Sequence, residues 1–253
     1  MNSDSTIDKL YDLRLSVMAE AFTTELARTG DATLGFADRF GLIIDRQWTA
    51  REESRLLRRL KNANLRVSAS IEEIDFRTPR GLDREVVLDL AGLGFVTGAG
   101  NVIITGPTGL GKTYLACALA DRACRRGHSA SYRRVPRLVF ELALARADGT
   151  YLKAIAAIAR VDVLILDDWG LVTLDAQASS DIMDVIDDRA GLRSTIVTSQ
   201  LPVSEWHSLI TDPSIADALL DRLVHRAVRI ELKGDSMRKE APKEAPKRTK
   251  KLT

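Results

Sequence analysis

The stretch NVIITGPTGLGKTYLACALA, residues 101–120, constrains the chain more than any other. A short apolar run enters a glycine-rich octet, Gly106-Pro107-Thr108-Gly109-Leu110-Gly111-Lys112-Thr113, and a helix-forming segment leaves it. The octet fits G-x-x-x-x-G-K-[ST] at every position, and each residue type answers a physical need. Glycines let consecutive backbone amides curl around phosphate oxygens, and the helix that follows aims its positive end at them. Lys112 is placed to reach the β- and γ-phosphates and Thr113 to join a magnesium shell, with Tyr114 next along the helix. A strand feeding such a loop belongs in a sheet. From about residue 99 the runs NVIIT, SASYRRV, VDVLILD, STIVTS and RAVRIEL alternate with stretches mostly long enough for helices. That pattern predicts an α/β fold, a parallel sheet wrapped by helices.

A phosphate cradle needs an acid at the end of a second buried strand. VDVLILDDWG supplies Asp167, expected to hold magnesium through water, and Asp168, expected to orient or deprotonate the attacking water. The polar strand end Thr198-Ser199-Gln200 follows STIV. If that strand lies beside the loop strand, one of the three side chains points at the γ-phosphate region. Arg222 in ADALLDRLVHR and Arg238 in GDSMR could each bring a permanent, planar positive charge to a developing phosphate charge. No guanine-reading N-K-x-D is present, and the paired acids with a helical front part do not suit a small-molecule kinase. ATP is the expected nucleotide.

The first part reads as helices, with Ile7, Leu10, Leu13 and Met18 at helical spacing. Thr49 with Glu52 reads as a capping box opening a second helix, on which Leu56, Leu57 and Leu60 share a face. Pro79 and Gly81 break periodicity in IEEIDFRTPRGLDREVV, which reads as a linker. The expected division is a helical part at 1–70, a linker region at 71–98, the α/β core at 99–232 and a terminal segment at 233–253, ending in a basic, apolar-poor tail that reads as disordered. Cys117 and Cys124 fall on one helix with no metal-ligand spacing and are expected to be reduced. No run approaches the roughly 18 apolar residues of a membrane span, and the first residues carry no secretory pattern, so a cytoplasmic protein is expected. Net charge is only +2, but arginines cluster at 39–66 and 122–137. Arg55, Arg58, Arg59, Arg134, Arg137, Arg146 and Lys153 are candidates for phosphate-backbone contact. Few aromatics accompany them, which favours duplex over single strands.

The order GPTGLGKT, LILDDWGL, VTSQLP, LLDRLVHRA and GDSMR, behind a basic helix and DFRTPRGLD, resembles the IstB-like ATP-binding proteins. These are AAA+ ATPases that accompany a transposase, and they are relatives of the helicase loader DnaC. The resemblance runs from about residue 5 to residue 240. It implies that Arg222 is an arginine finger acting on the neighbouring subunit's ATP and Arg238 the sensor-2 arginine. Ser199 or Gln200 would be sensor 1. Asp168 stands where most AAA+ enzymes carry Glu, one methylene longer, which implies loose water positioning and slow turnover. A finger supplied in trans implies a head-to-tail assembly, ring or helix, and in resembling proteins such assemblies enclose DNA. The expected function is an ATPase that assembles on duplex DNA and assists a transposase. The alternatives are a helicase loader on single strands and a nucleotide-bound filament with negligible hydrolysis.

Overall fold

The computed structural model describes residues 3–27 and 34–237. The chain divides into two units, Met1–Arg59 and Leu60–Thr253. In the first, α1 (Ser3–Asp12) and α2 (Ser16–Leu26) meet at a turn where Arg14 takes φ 57°. The third helix, α3, runs over Phe36–Ala63. Ala19 and Ala21 on α2 and Ile43 on α3 are buried, and the Met18 amide donates to Gln47 Oε1 at 3.0 Å.

Two expectations about α3 need correction. Thr49 caps nothing, because it lies in the middle of a continuous helix whose first turn carries Asp38. No proline or glycine interrupts residues 42–63, so the T-x-x-E spacing is incidental to an unbroken helix. Leu56 and Leu60 are half-buried but Leu57 is 67% exposed, so the three leucines do not form one covered face.

The second unit holds a five-stranded sheet in the order β2-β3-β4-β1-β5. The strands are β1 (Val102–Thr105), β2 (Ala130–Arg134), β3 (Val163–Trp169), β4 (Ser194–Ser199) and β5 (Val228–Glu231), all parallel. They lie on the five apolar runs of the sequence. β1 and β4 are buried along their whole length, as strands covered on both faces must be. Helix α6 (Lys112–Arg125) packs on β1 to β4 and buries most of its length, including Cys117 and Cys124, neither of which is in a disulfide. The segment read as a linker contains α4 (Arg84–Ala91), opened by Asp83, whose carboxylate accepts from the Glu85 amide at 2.8 Å, and the short α5 (Gly94–Thr97). After β2 come α7 (Val135–Ala147) and α8 (Tyr151–Ala159); α9 (Ala176–Asp187) and α10 (Pro213–Val224) complete the helices. Leu164, Leu166, Trp169, Ile182, Val185, Trp206 and Leu219 form the centre of the core. No helix among the described residues is long and apolar enough to cross a membrane.

Strand order is what builds the site. With β1 and β3 both bordering β4, the carboxyl ends of these three strands bring Thr105, Asp167, Thr198 and Ser199 to one edge of the sheet, where open α/β sheets hold their ligands.

Candidate functional site

A cavity of about 680 Å³ opens at that edge. Its floor is the glycine-rich loop, and two loop glycines have a role beyond presenting amides. Gly106 (φ 136°) and Gly109 (φ 91°) lie under the segment that follows β5. A Cβ on Gly106 would stand 2.2 Å from the Leu232 carbonyl oxygen, and one on Gly109 would stand 2.0 Å from Ser236 Oγ. The Leu232 amide donates to Thr105 O at 2.8 Å and the Met237 amide to Gly109 O at 3.1 Å. Residues 232–237 are therefore laced onto the loop, and only glycine leaves room. Pro107 is exposed and Leu110 is fully buried; neither Gly106, Pro107 nor Leu110 lines the cavity, whereas Thr108, Gly109, Gly111, Lys112, Thr113 and Tyr114 do.

The Lys112 ammonium donates to the carbonyls of Gly106 (2.6 Å) and Pro107 (2.8 Å), which holds its charge against the loop. Behind it, Asp167 is 2% exposed and gathers hydroxyls from three elements. Thr113 Oγ1 lies 3.0 and 3.1 Å from its two carboxylate oxygens, Tyr132 OH donates at 2.5 Å, and Thr198 Oγ1 donates to Oδ1. Burial and the bond to Asp167 push the Tyr132 phenol upward, so it remains a donor. A hydroxyl and a carboxylate side by side suit magnesium, a hard ion that keeps several waters and takes its other oxygens from phosphate. Among the described residues no cluster of three or more His, Cys, Asp or Glu exists that would hold a metal alone.

Asp168 sits differently from its neighbour. The β3–β4 register shifts between Leu166 and Trp169, and Asp168 takes φ 62° at that irregularity. The bulge turns its carboxylate out of the strand alternation and toward the cavity it lines. Arg134, at the end of β2, donates from Nε to Asp168 Oδ2 at 2.7 Å. As arranged, the carboxylate expected to handle water is engaged by a guanidinium.

The strand-end trio separates. Thr198 faces Asp167, Ser199 Oγ donates to Trp169 O at 2.7 Å, and Gln200 is the exposed one; all three line the cavity. Arg222, on α10, is elsewhere. Its Nε donates to Asp187 Oδ1 at 2.6 Å and its Nη1 to Ala218 O at 3.0 Å, beside a separate groove bordered by Gly98, Gly100 and Arg226. Arg238 lies outside the described residues, as does the terminal tail.

The basic candidates are mostly paired within the chain. Besides Arg134, Arg137 bonds Glu141 (2.8 Å), Arg55 bonds Glu52 (2.5 Å), and Arg146 bonds Asp181 (2.6 Å) while stacking 3.6 Å over the Tyr151 ring. Arg58 and Lys153 are exposed, and Arg59 is half-buried.

Sequence reading did not single out Tyr132 or Arg80 for the site. Tyr132 reaches Asp167 because β2 pairs with β3, Tyr132 opposite Ile165 and Arg134 opposite Asp167, an adjacency with no local signal. Arg80 lines the cavity from the segment read as a linker.

The chain is 46% identical over 239 residues to the "Putative insertion sequence ATP-binding protein y4pL" of Sinorhizobium fredii (strain NBRC 101917 / NGR234), which covers 94% of this chain and 98% of that protein. Among solved structures, that of DnaI matches with TM-score 0.58 and 25% identity, covering 65% of this chain and 91% of that one. The DnaC helicase loader matches with TM-score 0.54 and 20% identity, over 69% and 99%, a likeness of fold. These place the sheet and its loop among AAA+ folds. The family model described as "IstB-like ATP binding protein" matches residues 8–245, and the chain belongs to that family.

Proposed function

We propose that the protein is a magnesium-dependent ATPase that assembles head to tail on duplex DNA, assists a transposase at its target, and disassembles as ATP is hydrolysed. The observation that carries the ATP part is the meeting of the loop hydroxyl of Thr113 with the buried strand-end carboxylate of Asp167, 3.0 Å apart on the wall of one cavity. In this reading the loop amides and Lys112 bind the phosphates. Thr113 and Asp167 hold the ion, whose chemistry is to draw charge from the phosphate oxygens. Asp168 accepts the proton of the attacking water, which requires that its carboxylate leave Arg134. Gln200, the exposed member of its trio, is the best placed to address the γ-phosphate as sensor 1.

Arg222 belongs to a different groove from the loop of its own chain, which supports a role as a finger on the neighbouring subunit's ATP; Arg238, next after the laced segment 232–237, is assigned as sensor 2. The DNA and transposase parts rest on the family and on relatives named as insertion-sequence ATP-binding proteins. Residues 1–70 are assigned to DNA or partner contact, 71–98 to the lead-in, 99–232 to the ATPase core and 233–253 to the sensor-2 segment and tail. Arg55, Arg58, Arg59, Arg137, Arg146 and Lys153 are the candidate phosphate contacts, and Arg134 joins them if it releases Asp168. The cellular site of action is the cytoplasm, where DNA and ATP are both present.

The test is sedimentation of the full chain with random-sequence duplex and with single-stranded DNA, each with ATP and with ADP. Large complexes only with duplex and ATP are expected. A preference for single strands would replace this reading with a helicase loader, and indifference to DNA would leave only the ATPase. Assemblies lost in Lys112→Ala whose lifetime is unchanged in Asp168→Ala would indicate a filament that does not use hydrolysis.

A further inference from the structure

Arg80 lies in the DFRTPRGLD segment and is 6% exposed. Its guanidinium bonds the phosphate loop and two segments that line the cavity. Nη1 donates to the Leu110 carbonyl at 2.6 Å and to Met237 Sδ at 3.0 Å, and Nη2 donates to the Asp75 carbonyl at 2.9 Å. Nη1 lies 2.7 Å from where a Cβ on Gly111 would be, so it sits directly behind the phosphate loop. Every partner among the described residues is neutral. Nε is buried with no partner at all. The carboxylate that bears on it electrostatically, Asp75, is exposed and already accepts from Thr78 Oγ1 (2.6 Å) and the Arg77 amide (2.8 Å).

Arg189 provides the contrast. It is 1% exposed, yet its Nε donates to Thr195 Oγ1 and its terminal nitrogens reach the carbonyls of Ile158, Ala159, Val161 and Ser194. That set gives each nitrogen of the fork a partner and describes a clamp among β4, the end of α8 and the turn before β3, outside the cavity. Neither arginine has a bonded anion among the described residues, but Arg80 also leaves its Nε without a partner, and it lines the cavity. A buried cation without a counter-charge is costly, and burial correspondingly lowers its affinity for its proton.

We propose that Arg80 is a second cation of the phosphate site, whose missing counter-charge is the polyphosphate of the nucleotide. The proposal rests on the reading of the loop as an ATP site and deepens it. Lys112 supplies one positive charge at the mouth of the loop; Arg80 supplies another behind the Leu110–Gly111 peptide. Because the same guanidinium holds Asp75 O and Met237, bound phosphate also tightens the segments at 75–80 and 232–237 around the loop. Arg80 is thus a positioning residue for the loop and a source of its charge.

The experiment compares the nucleotide-free full chain with Arg80→Met and Arg80→Lys, measuring Kd for ATP, ADP and AMP by calorimetry and the thermal midpoint with and without each nucleotide. Arg80→Met is expected to leave the nucleotide-free midpoint unchanged or raised, because an apolar side chain replaces an uncompensated charge. It should weaken ATP and ADP by roughly tenfold, change AMP little, and shrink the nucleotide-induced rise in midpoint. Arg80→Lys keeps the charge and should retain most of the ATP-over-AMP preference. Methionine binding ATP as tightly as wild type, a lowered nucleotide-free midpoint with unchanged Kd, or an equal loss for AMP would overturn the proposal. So would a methionine variant that does not fold, or a lysine variant as weak as methionine. Wild type that binds no ATP, like a Lys112→Ala control, would overturn the ATP site itself and this proposal with it.

Discussion

Asp168 and Arg134 are two residues whose meaning depends on each other. A left-handed backbone is tolerated by Asp better than by most residues, and such conformations concentrate where the geometry matters. Here it turns the Asp168 carboxylate into the cavity, where Arg134 takes hold of it at 2.7 Å. While Arg134 Nε occupies Oδ2, that oxygen cannot accept a hydrogen bond from an attacking water. Removing Arg134 therefore frees the base. Arg134→Ala is expected to raise basal ATP turnover, read as phosphate release without DNA, with ATP affinity unchanged. Asp168→Asn is expected to cut turnover by roughly 10²-fold or more, the usual worth of a general base, also with ATP affinity kept. Turnover that falls in Arg134→Ala would mean that the arginine orients Asp168 productively instead of holding it back.

At the scale of elements, Asp162 shows how loop ends pin the strands. It precedes β3 and accepts from both the amide and the hydroxyl of Ser129, just before β2, at 2.8 Å each, with Arg193 ahead of β4 at 3.0 Å. Burial alone would raise its pKa, but the Ser129 bonds and Arg193 more than reverse this, and the net shift is downward. A carboxyl with a depressed folded-state pKa stabilises the fold above its unfolded value near 3.8, and that stability is lost as pH falls through the folded value. Asp162→Asn should cost about 1 kcal/mol at neutral pH, measured by urea unfolding. The gap from wild type should close as both are taken below pH 3.8. A gap independent of pH would mean that shape and not charge is at work. The strands themselves were readable because each is a short apolar run between turn residues. The T-x-x-E spacing at Thr49 does not mark a helix start because a capping signature is only a few residues long and occurs in helix interiors too, where continuing backbone bonds outweigh it.

For the whole molecule, the separation between the loop cavity and the groove of Arg222 is the decisive arrangement. Lys112 and Arg222 lie at different openings of the same unit, so a subunit can lack one and still offer the other. If the finger acts in trans, Lys112→Ala and Arg222→Ala are each inactive alone, and a mixture of the two regains turnover through interfaces that pair an intact loop with an intact finger. No recovery on mixing, with the mixture shown to assemble, would place Arg222 in a structural role with Asp187, its partner at 2.6 Å.

The chain order already dictated much of this. An apolar run, a G-x-x-x-x-G-K-T octet and a second run ending in Asp167-Asp168 are local patterns, and local backbone preferences suffice to make strands, a loop and a helix from them. Which residues become neighbours was not local. Tyr132 and Thr198 meet Asp167 because β3 lies between β2 and β4. Gly106 and Gly109 are required as much by residues 232–236, more than a hundred positions away, as by any phosphate. Arg80 faces the loop because its main chain meets the strand-end segment, the Lys233 amide donating to Arg80 O at 2.9 Å. Contacts of that separation form only when the sheet closes and buries its apolar faces, and it is that burial, not any pattern along the chain, that selects them.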